Sequence, residues 1–202
     1  MKRIPAILLV LWMLATAASA QLPSGNVFFG YSYLHAGVAA PPIPPDQSGI
    51  VASGSTGLNG WNASLEGKFL PLIGVVADFS GNYGSSSGNA ICGFIATPCL
   101  AVPVNVQTNV YHFLVGPQIS FSVGKVRPFA HALLGGAHLN ETVKALPFSA
   151  TDTAFSYALG GGIDYRVLGP LRWRVQGDFL RDRFFSGTQN NFRFSTGPVL
   201  HF

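Results

Sequence analysis

At 202 residues the chain is long enough for one domain, and only 10% of its residues are charged, beside 48% apolar, 12% aromatic and 24 glycines. Two of the twelve basic residues are Lys2 and Arg3, so the rest of the chain carries ten basic against eight acidic residues. An excess that small gives no argument for a nucleic-acid partner. After the first twenty positions no stretch approaches the roughly 20 consecutive apolar residues of a spanning helix.

The chain opens with Met1, Lys2 and Arg3, then an apolar run from Ile4 to Ala18, then Ala18-Ser19-Ala20 before Gln21. A basic start, a short apolar middle and small residues at the end are the parts of a cleaved secretory signal peptide. The expected organisation is therefore a leader, 1–20, and one domain, 21–202.

From Gln21 onward apolar and polar residues alternate with the period of two that marks a half-apolar strand. The first strand is expected at Asn26 to His35, with Val27, Phe29, Tyr31 and Tyr33 on one face. A loop follows, Ala36 to Gly57, broken by Pro41, Pro42, Pro44 and Pro45. The second strand, Leu58 to Phe69, sets Trp61, Ala63, Leu65 and Phe69 opposite Asn62, Ser64, Glu66 and Lys68. Leu70 to Leu72 turn the chain into the third, Ile73 to Tyr83, which places Val75, Ala77 and Phe79 opposite Asp78, Ser80 and Asn82.

The Gly/Ser-rich stretch Gly84 to Val106 reads as a second long loop. It holds the two cysteines, Cys92 and Cys99, and in an exported chain a lone close pair is expected to form a disulfide in an oxidising compartment. No further Cys or nearby His completes a zinc site.

The fourth strand, about Gln107 to Ser122, carries Pro117, where a bulge or a missing ladder bond is expected. After a turn at Val123 to Val126 comes the fifth, Arg127 to Leu139, whose facing is ambiguous because Leu and Ala occupy both parities. A third loop spans Asn140 to Asp152. The sixth strand, Thr153 to Val167, and the seventh, from Leu171 to Leu180, flank a tight Leu168-Gly169-Pro170 turn. Phe184 to Asn190 form a fourth loop. The last strand, Asn191 to Phe202, alternates Phe192, Phe194, Thr196, Pro198, Leu200 and Phe202 with Arg193, Ser195, Gly197, Val199 and His201.

Eight strands joined alternately by long and short connections predict an all-β, eight-stranded antiparallel up-and-down transmembrane barrel, with the long loops on one side and both chain ends on the other. An even number of strands closes the sheet, as it must where lipid cannot satisfy open backbone edges. If the apolar parity faces lipid, the interior collects Glu66, Lys68, Asp78, Asp164, Arg166, Arg172, Arg174, Asp178 and Arg193. So narrow an interior is expected to be filled by these side chains pairing with one another. A soluble barrel with the aromatic parity inside is disfavoured, because that many rings would overfill it.

Chemistry is sparse. Gly84-Ser85-Ser86-Ser87-Gly88 matches G-x-S-x-G only formally, since no helix is expected after it. The five histidines lack zinc spacing, and Gly160-Gly161-Gly162 lies within a strand and opens no phosphate loop. His35, His138, Asp182 and Arg183 fall near the predicted outer rim, the one place where lipid-modifying catalysis has room. No cofactor and no metal are expected.

The terminal strand ending on Phe202 resembles the C-terminal signature of bacterial outer-membrane barrels, and the whole of 21–202 resembles the eight-stranded transmembrane domain of the outer-membrane protein A family. That resemblance implies residence in the bacterial outer membrane as a monomer among lipid and lipopolysaccharide. It also implies recognition of Phe202 by the barrel assembly machinery, and a surface ligand, if any, at loops 36–57, 84–106 and 140–152. No cell-wall-binding domain is expected after Phe202, so the tethering role of larger relatives is not implied. The leading expectation is a non-enzymatic surface barrel; the alternatives are a narrow channel and a lipid A-modifying enzyme.

Overall fold

The computed structural model describes residues 24–37, 49–51, 55–91, 102–143, 148–184 and 187–202. The expected leader and its cleavage site, Cys92 and Cys99 with their expected disulfide, and the middles of the long connections lie outside the described residues.

The described strands are β1 (Gly25–Gly37), β2 (Gly49–Val51), β3 (Ser55–Lys68), β4 (Ile73–Ile91), β5 (Val102–Ser120), β6 (Val126–Val143), β7 (Phe148–Leu168), β8 (Leu171–Asp182) and β9 (Gln189–His201). All pairs are antiparallel. Neighbours in sequence pair in turn from β3 to β9, β1 pairs with both β3 and β9, and the β4–β5 ladder closes the ring. The result is an eight-stranded up-and-down barrel with the three-residue β2 added to the upper part of β4. The last strand closes the wall against β1, from Asn26 opposite His201 to His35 opposite Phe192.

Three expected loops are shorter than the sequence suggests. Residues 84–91 and 102–106 continue β4 and β5 as one ladder, down to Ala90 opposite Val102. Residues 140–143 and 148–152 likewise extend β6 and β7 to Val143 opposite Phe148. The first loop gives up its ends to β1 and β3 and contains β2. The physical reason is that a ladder needs only backbone groups. Beyond the lipid neither face must be apolar, so Ser, Gly, Asn and Thr pair there without leaving an alternating pattern to read.

At Pro117 the expected interruption is a missing stretch of ladder and not a bulge. The β5–β6 pairing skips from Val115–Leu134 to Gln118–His131 with its register kept, while Pro117 still lies opposite Val75 on the other side. The short turns sit at the opposite end. Val123 and Val126 exchange both backbone hydrogen bonds around Gly124, and Gly124 and Gly169 take positive φ. A residue with a Cβ is strained in that conformation.

Outside, Phe29, Leu65, Phe79, Phe113, Val115, Leu134, Leu159, Ile163, Val175 and Phe194 are all exposed. A continuous apolar girdle of this extent is untenable in water and suited to lipid. It is bounded above by Tyr31, Trp61, Tyr83 and Tyr111 and below by Tyr165 and Trp173, which lie opposite each other in the ladder. The Trp61 indole donates to the Tyr83 hydroxyl (3.3 Å), and Trp173 donates to Thr196 Oγ1 (3.0 Å). Indole and phenol rings with their polar atoms satisfied in this way are the usual occupants of the membrane–water boundary. Among the described residues no helix is long and apolar enough to cross a membrane.

Candidate functional site

Six of the eight staves, β3, β4 and β6 to β9, turn charged side chains inward, and these meet in layers up the lumen. Nearest the short turns, Arg127 Nη2 donates to both carboxylate oxygens of Glu66 (2.8 and 2.9 Å) and to Ser120 Oγ (2.8 Å), and Asn26 also donates to Glu66. One level up, Arg174 grips Asp164 through Nε and Nη2 (2.7 and 3.0 Å), with its guanidinium 4.4 Å from the Phe129 ring centroid and 5.1 Å from that of Phe28. The bidentate fork and the two ring faces compensate the burial of this charge.

The central layer is built on Arg193. It reaches Asp78 on one side (2.7 Å) and Asp178 on the other (2.7 and 2.9 Å), and donates to Ser80 Oγ (2.9 Å). Asp178 also receives Gln176 Nε2 (2.8 Å) and lies 2.8 Å from His131 Nε2, while Asn62 donates to Asp78 (2.8 Å). Above it, Asp182 stands 3.3 Å from His112 Nε2 and accepts from Asn191 (2.6 Å).

Of the nine charges assigned to the interior from sequence, Glu66, Asp78, Asp164, Arg172, Arg174, Asp178 and Arg193 are buried there. Two are corrected. Arg166 has the inward parity, but the register shifts immediately after it and its side chain stands exposed at the mouth. Lys68 is half-buried at the same mouth and donates to the Pro71 carbonyl (3.2 Å), outside the paired network. Arg193 lies opposite Asp178 in the ladder, four residues below Asp182, and pairs with Asp178 and Asp78.

Arg127, His112 and His131 join this interior without being marked by the sequence pattern, and Asp182, expected at the outer rim, is enclosed with them. Arg127 was the available signal for the ambiguous strand. Its buried charge puts Phe129, His131, Leu133, Ala137 and Leu139 inside with it, and leaves Leu134 outside.

The upper lumen is different. Leu34, Leu58, Val110, Leu114, Leu133, Ala137, Leu139, Ala158 and Leu180 form one apolar cluster, capped by Phe184 from the start of the last loop. These residues sit on the otherwise polar parity, and together they seal the charged layers from the long-loop side. A small recess remains above the seal, lined by Leu34, Val110, Leu139, Phe184 and Glu141.

Glu141 lies on β6 opposite Thr108, three residues beyond the Tyr111–His138 level, and burial there raises its carboxyl above the ordinary value. The folded barrel therefore holds that proton more tightly than the unfolded chain, and the associated stability is lost as pH rises through the raised value. Glu141→Gln is expected to raise the urea midpoint near pH 7.5 and to leave it unchanged at about pH 3.5, below the carboxylate range. Equal shifts at both pH values would refute this assignment.

The rim candidates for catalysis are separated by the wall. His35 and Arg183 face outward, and His138 bonds Thr153 on the outer surface (2.8 Å), whereas Asp182 is enclosed in the lumen. The imidazole that does meet Asp182 is His112, and both are fully buried. Acyl-transfer chemistry would need an imidazole between carboxylate and nucleophile with access for substrate. The run Gly84 to Gly88 is continuous β-ladder and makes no strand-to-helix elbow.

A closed eight-stranded meander with a lipid-matched outer band and an ion-paired interior defines a small transmembrane barrel. The chain belongs to the family of outer membrane protein β-barrel domains, whose model matches residues 6–197. The outer membrane is accordingly where this barrel resides.

No curated protein matches the sequence. Among solved structures, the fold is similar to that of the attachment invasion locus protein Ail of Yersinia pestis, with a TM-score of 0.54 at 13% identity over 88% of this chain and 98% of that one. It is also similar to Neisserial surface protein A, with a TM-score of 0.57 at 11% identity over 88% and 97% of the two chains. For the outer membrane protein OprG of Pseudomonas aeruginosa the TM-score is 0.53 at 10% identity over 89% and 96%. At such identities the likeness is one of fold.

Proposed function

We propose that this protein is a non-enzymatic surface barrel whose work is done by its two tall hairpins, β4–β5 and β6–β7, acting on a partner outside the membrane. The observation that carries this reading is the continuation of both ladders beyond the aromatic girdle, above a lumen filled with charge pairs and sealed by Leu and Phe side chains. An ordered ladder presents a fixed face to a partner at a lower entropic cost than a loose loop. Attachment, named for Ail, is the kind of role this arrangement suits. The other partners are lipopolysaccharide, met by the outward Arg181 and Arg183 at the upper boundary, and the barrel assembly machinery, met by Phe202.

The test is to replace residues 86–105 with a two-residue turn. The shortened barrel is expected to insert and keep its heat-dependent gel migration while losing binding to host-cell or envelope surfaces. Retained binding would overturn the proposal. In planar bilayers the intact barrel is expected to give no stepwise currents, and such currents would favour a narrow channel instead.

A further inference from the structure

We infer that the mouth of the lumen on the short-turn, periplasmic side is an oxyanion site, in which Arg172 and Arg127 with Lys68 take a phosphate-type dianion. The pairing of the other interior arginines makes Arg172 stand out. Arg174 and Arg193 are met by carboxylates on two or more of their nitrogens. Arg172 is 4% exposed, its Nε is enclosed, and among the described residues it has neither a hydrogen bond nor an ion pair. Arg127 spends only Nη2 on Glu66 and Ser120, and its Nε and Nη1 are enclosed without a partner.

These groups share one field. Arg172 is acted on by Arg127 and Arg166 and, in the opposite sense, by Asp164, while Lys68 feels Arg127 and Arg172 against Glu66, and the half-buried His201 feels Arg172, Arg127 and Lys68. The carboxylate at this level, Glu66, is already held by Arg127 and Asn26, and the next, Asp164, by Arg174. With Asp164 balanced by Arg174, the enclosed Arg172 and Arg127 and the half-buried Lys68 have only Glu66 between them, an excess of two positive charges before the exposed Arg166 is counted.

Enclosed guanidinium nitrogens without acceptors are costly, and a fold that pairs its other arginines so fully has no structural need of them. An oxyanion supplies the missing acceptors. The guanidinium fork matches a tetrahedral phosphoryl group, and a dianion balances the excess where a single carboxylate would not. Entry is from below, because the apolar cluster closes the other end. This reading stands independently of the surface role.

The experiment uses the full-length barrel folded in dodecyl maltoside at low salt, free of phosphate. It is titrated by calorimetry with inorganic phosphate and, separately, with glycerol 3-phosphate, a phosphomonoester dianion and a soluble form of a lipid headgroup. Saturable binding is expected, weakened about tenfold or more in Arg172→Gln through loss of charge-assisted hydrogen bonds, and unchanged in Lys125→Gln at an exposed turn. Tighter binding of inorganic phosphate would assign the site to the free anion, and tighter binding of the monoester to a lipid headgroup.

Folding supplies a second readout. Without phosphate, Arg172→Gln should keep or raise the urea midpoint, and added phosphate should raise the midpoint of the wild type but not of the variant. No saturable binding of either probe up to about 10 mM, equal affinity in the variant, or a variant destabilised without phosphate would overturn the inference.

Discussion

Replacing Arg193 with Met should cost the barrel roughly 3–5 kcal/mol, the usual loss when one partner of a buried ion pair is removed. Arg193 is fully buried and is the cation between Asp78 and Asp178, which approach it from opposite sides at 2.7 Å. Without it Asp178 keeps His131 and Gln176, and Asp78 keeps Asn62, but two carboxylates are left facing one another. The loss should therefore be repaired by removing the carboxylates' charges as well. Asp78→Asn with Asp178→Asn in the Arg193→Met background should recover most of the lost stability, because a neutral lumen has no stranded charge to compensate. The check is the urea midpoint of reversible folding into lipid vesicles, followed by the fluorescence of Trp61 and Trp173. A single-variant loss below about 1 kcal/mol would mean that lumen water screens the triad as it screens surface pairs.

This layered interior is also where the sequence was most and least informative. Glu66, Asp78, Asp164, Arg174, Asp178 and Arg193 could be placed inside because each interrupts an otherwise apolar alternation, and a charge on a lipid-spanning strand has to face inward. Their partners could not be named. Which aspartate meets Arg193 depends on register and on contact across the lumen between strands far apart in sequence, and a one-residue slip of register changes the answer.

Histidine is hidden in the sequence because it carries no fixed charge to mark a face as Asp or Arg does. Its use here is as a hydrogen-bond partner to Asp178 and Asp182, a role visible only once the carboxylates are in place. Arg166 was misplaced for a simpler reason. Parity says which way a side chain points but not whether the ladder stays regular past it, and just past Arg166 its register breaks at the mouth. The tall hairpins were hidden by the same logic, since above the lipid no face has to be apolar.

The seam between β1 and β9 should be a sensitive place in the wall, and Gly197→Val is expected to abolish closure. The β1–β9 ladder pairs Phe28 with Val199 and Tyr31 with Thr196, and lacks the rungs between, where Pro198 has no N–H to give and Gly30 faces Gly197. With no side chain on either, the backbones come together more closely than Cβ atoms allow. A Cβ on Gly197 would fall 2.5 Å from the Gly30 Cα and 2.6 Å from the Phe29 carbonyl oxygen, and one on Gly30 would strike the Thr196 carbonyl.

Gly30 also carries the Phe28 ring over it, and that ring is one of the two faces supporting the Arg174 guanidinium. Crowding the seam therefore disturbs the charge layers as well as the wall. Overpacking ordinarily costs about 1–3 kcal/mol, a range suited to Gly197→Ala, but a branched side chain set directly against the β1 backbone has little room in which to retreat. Gly67→Val is the control, because a Cβ there meets nothing within 4 Å. After refolding into detergent, Gly67→Val should migrate as the compact, heat-modifiable form, and Gly197→Val only as the unfolded form. Compact migration of both would show that the seam has room to spare, and that β1 and β9 are held by side chains and not by the close approach of their backbones.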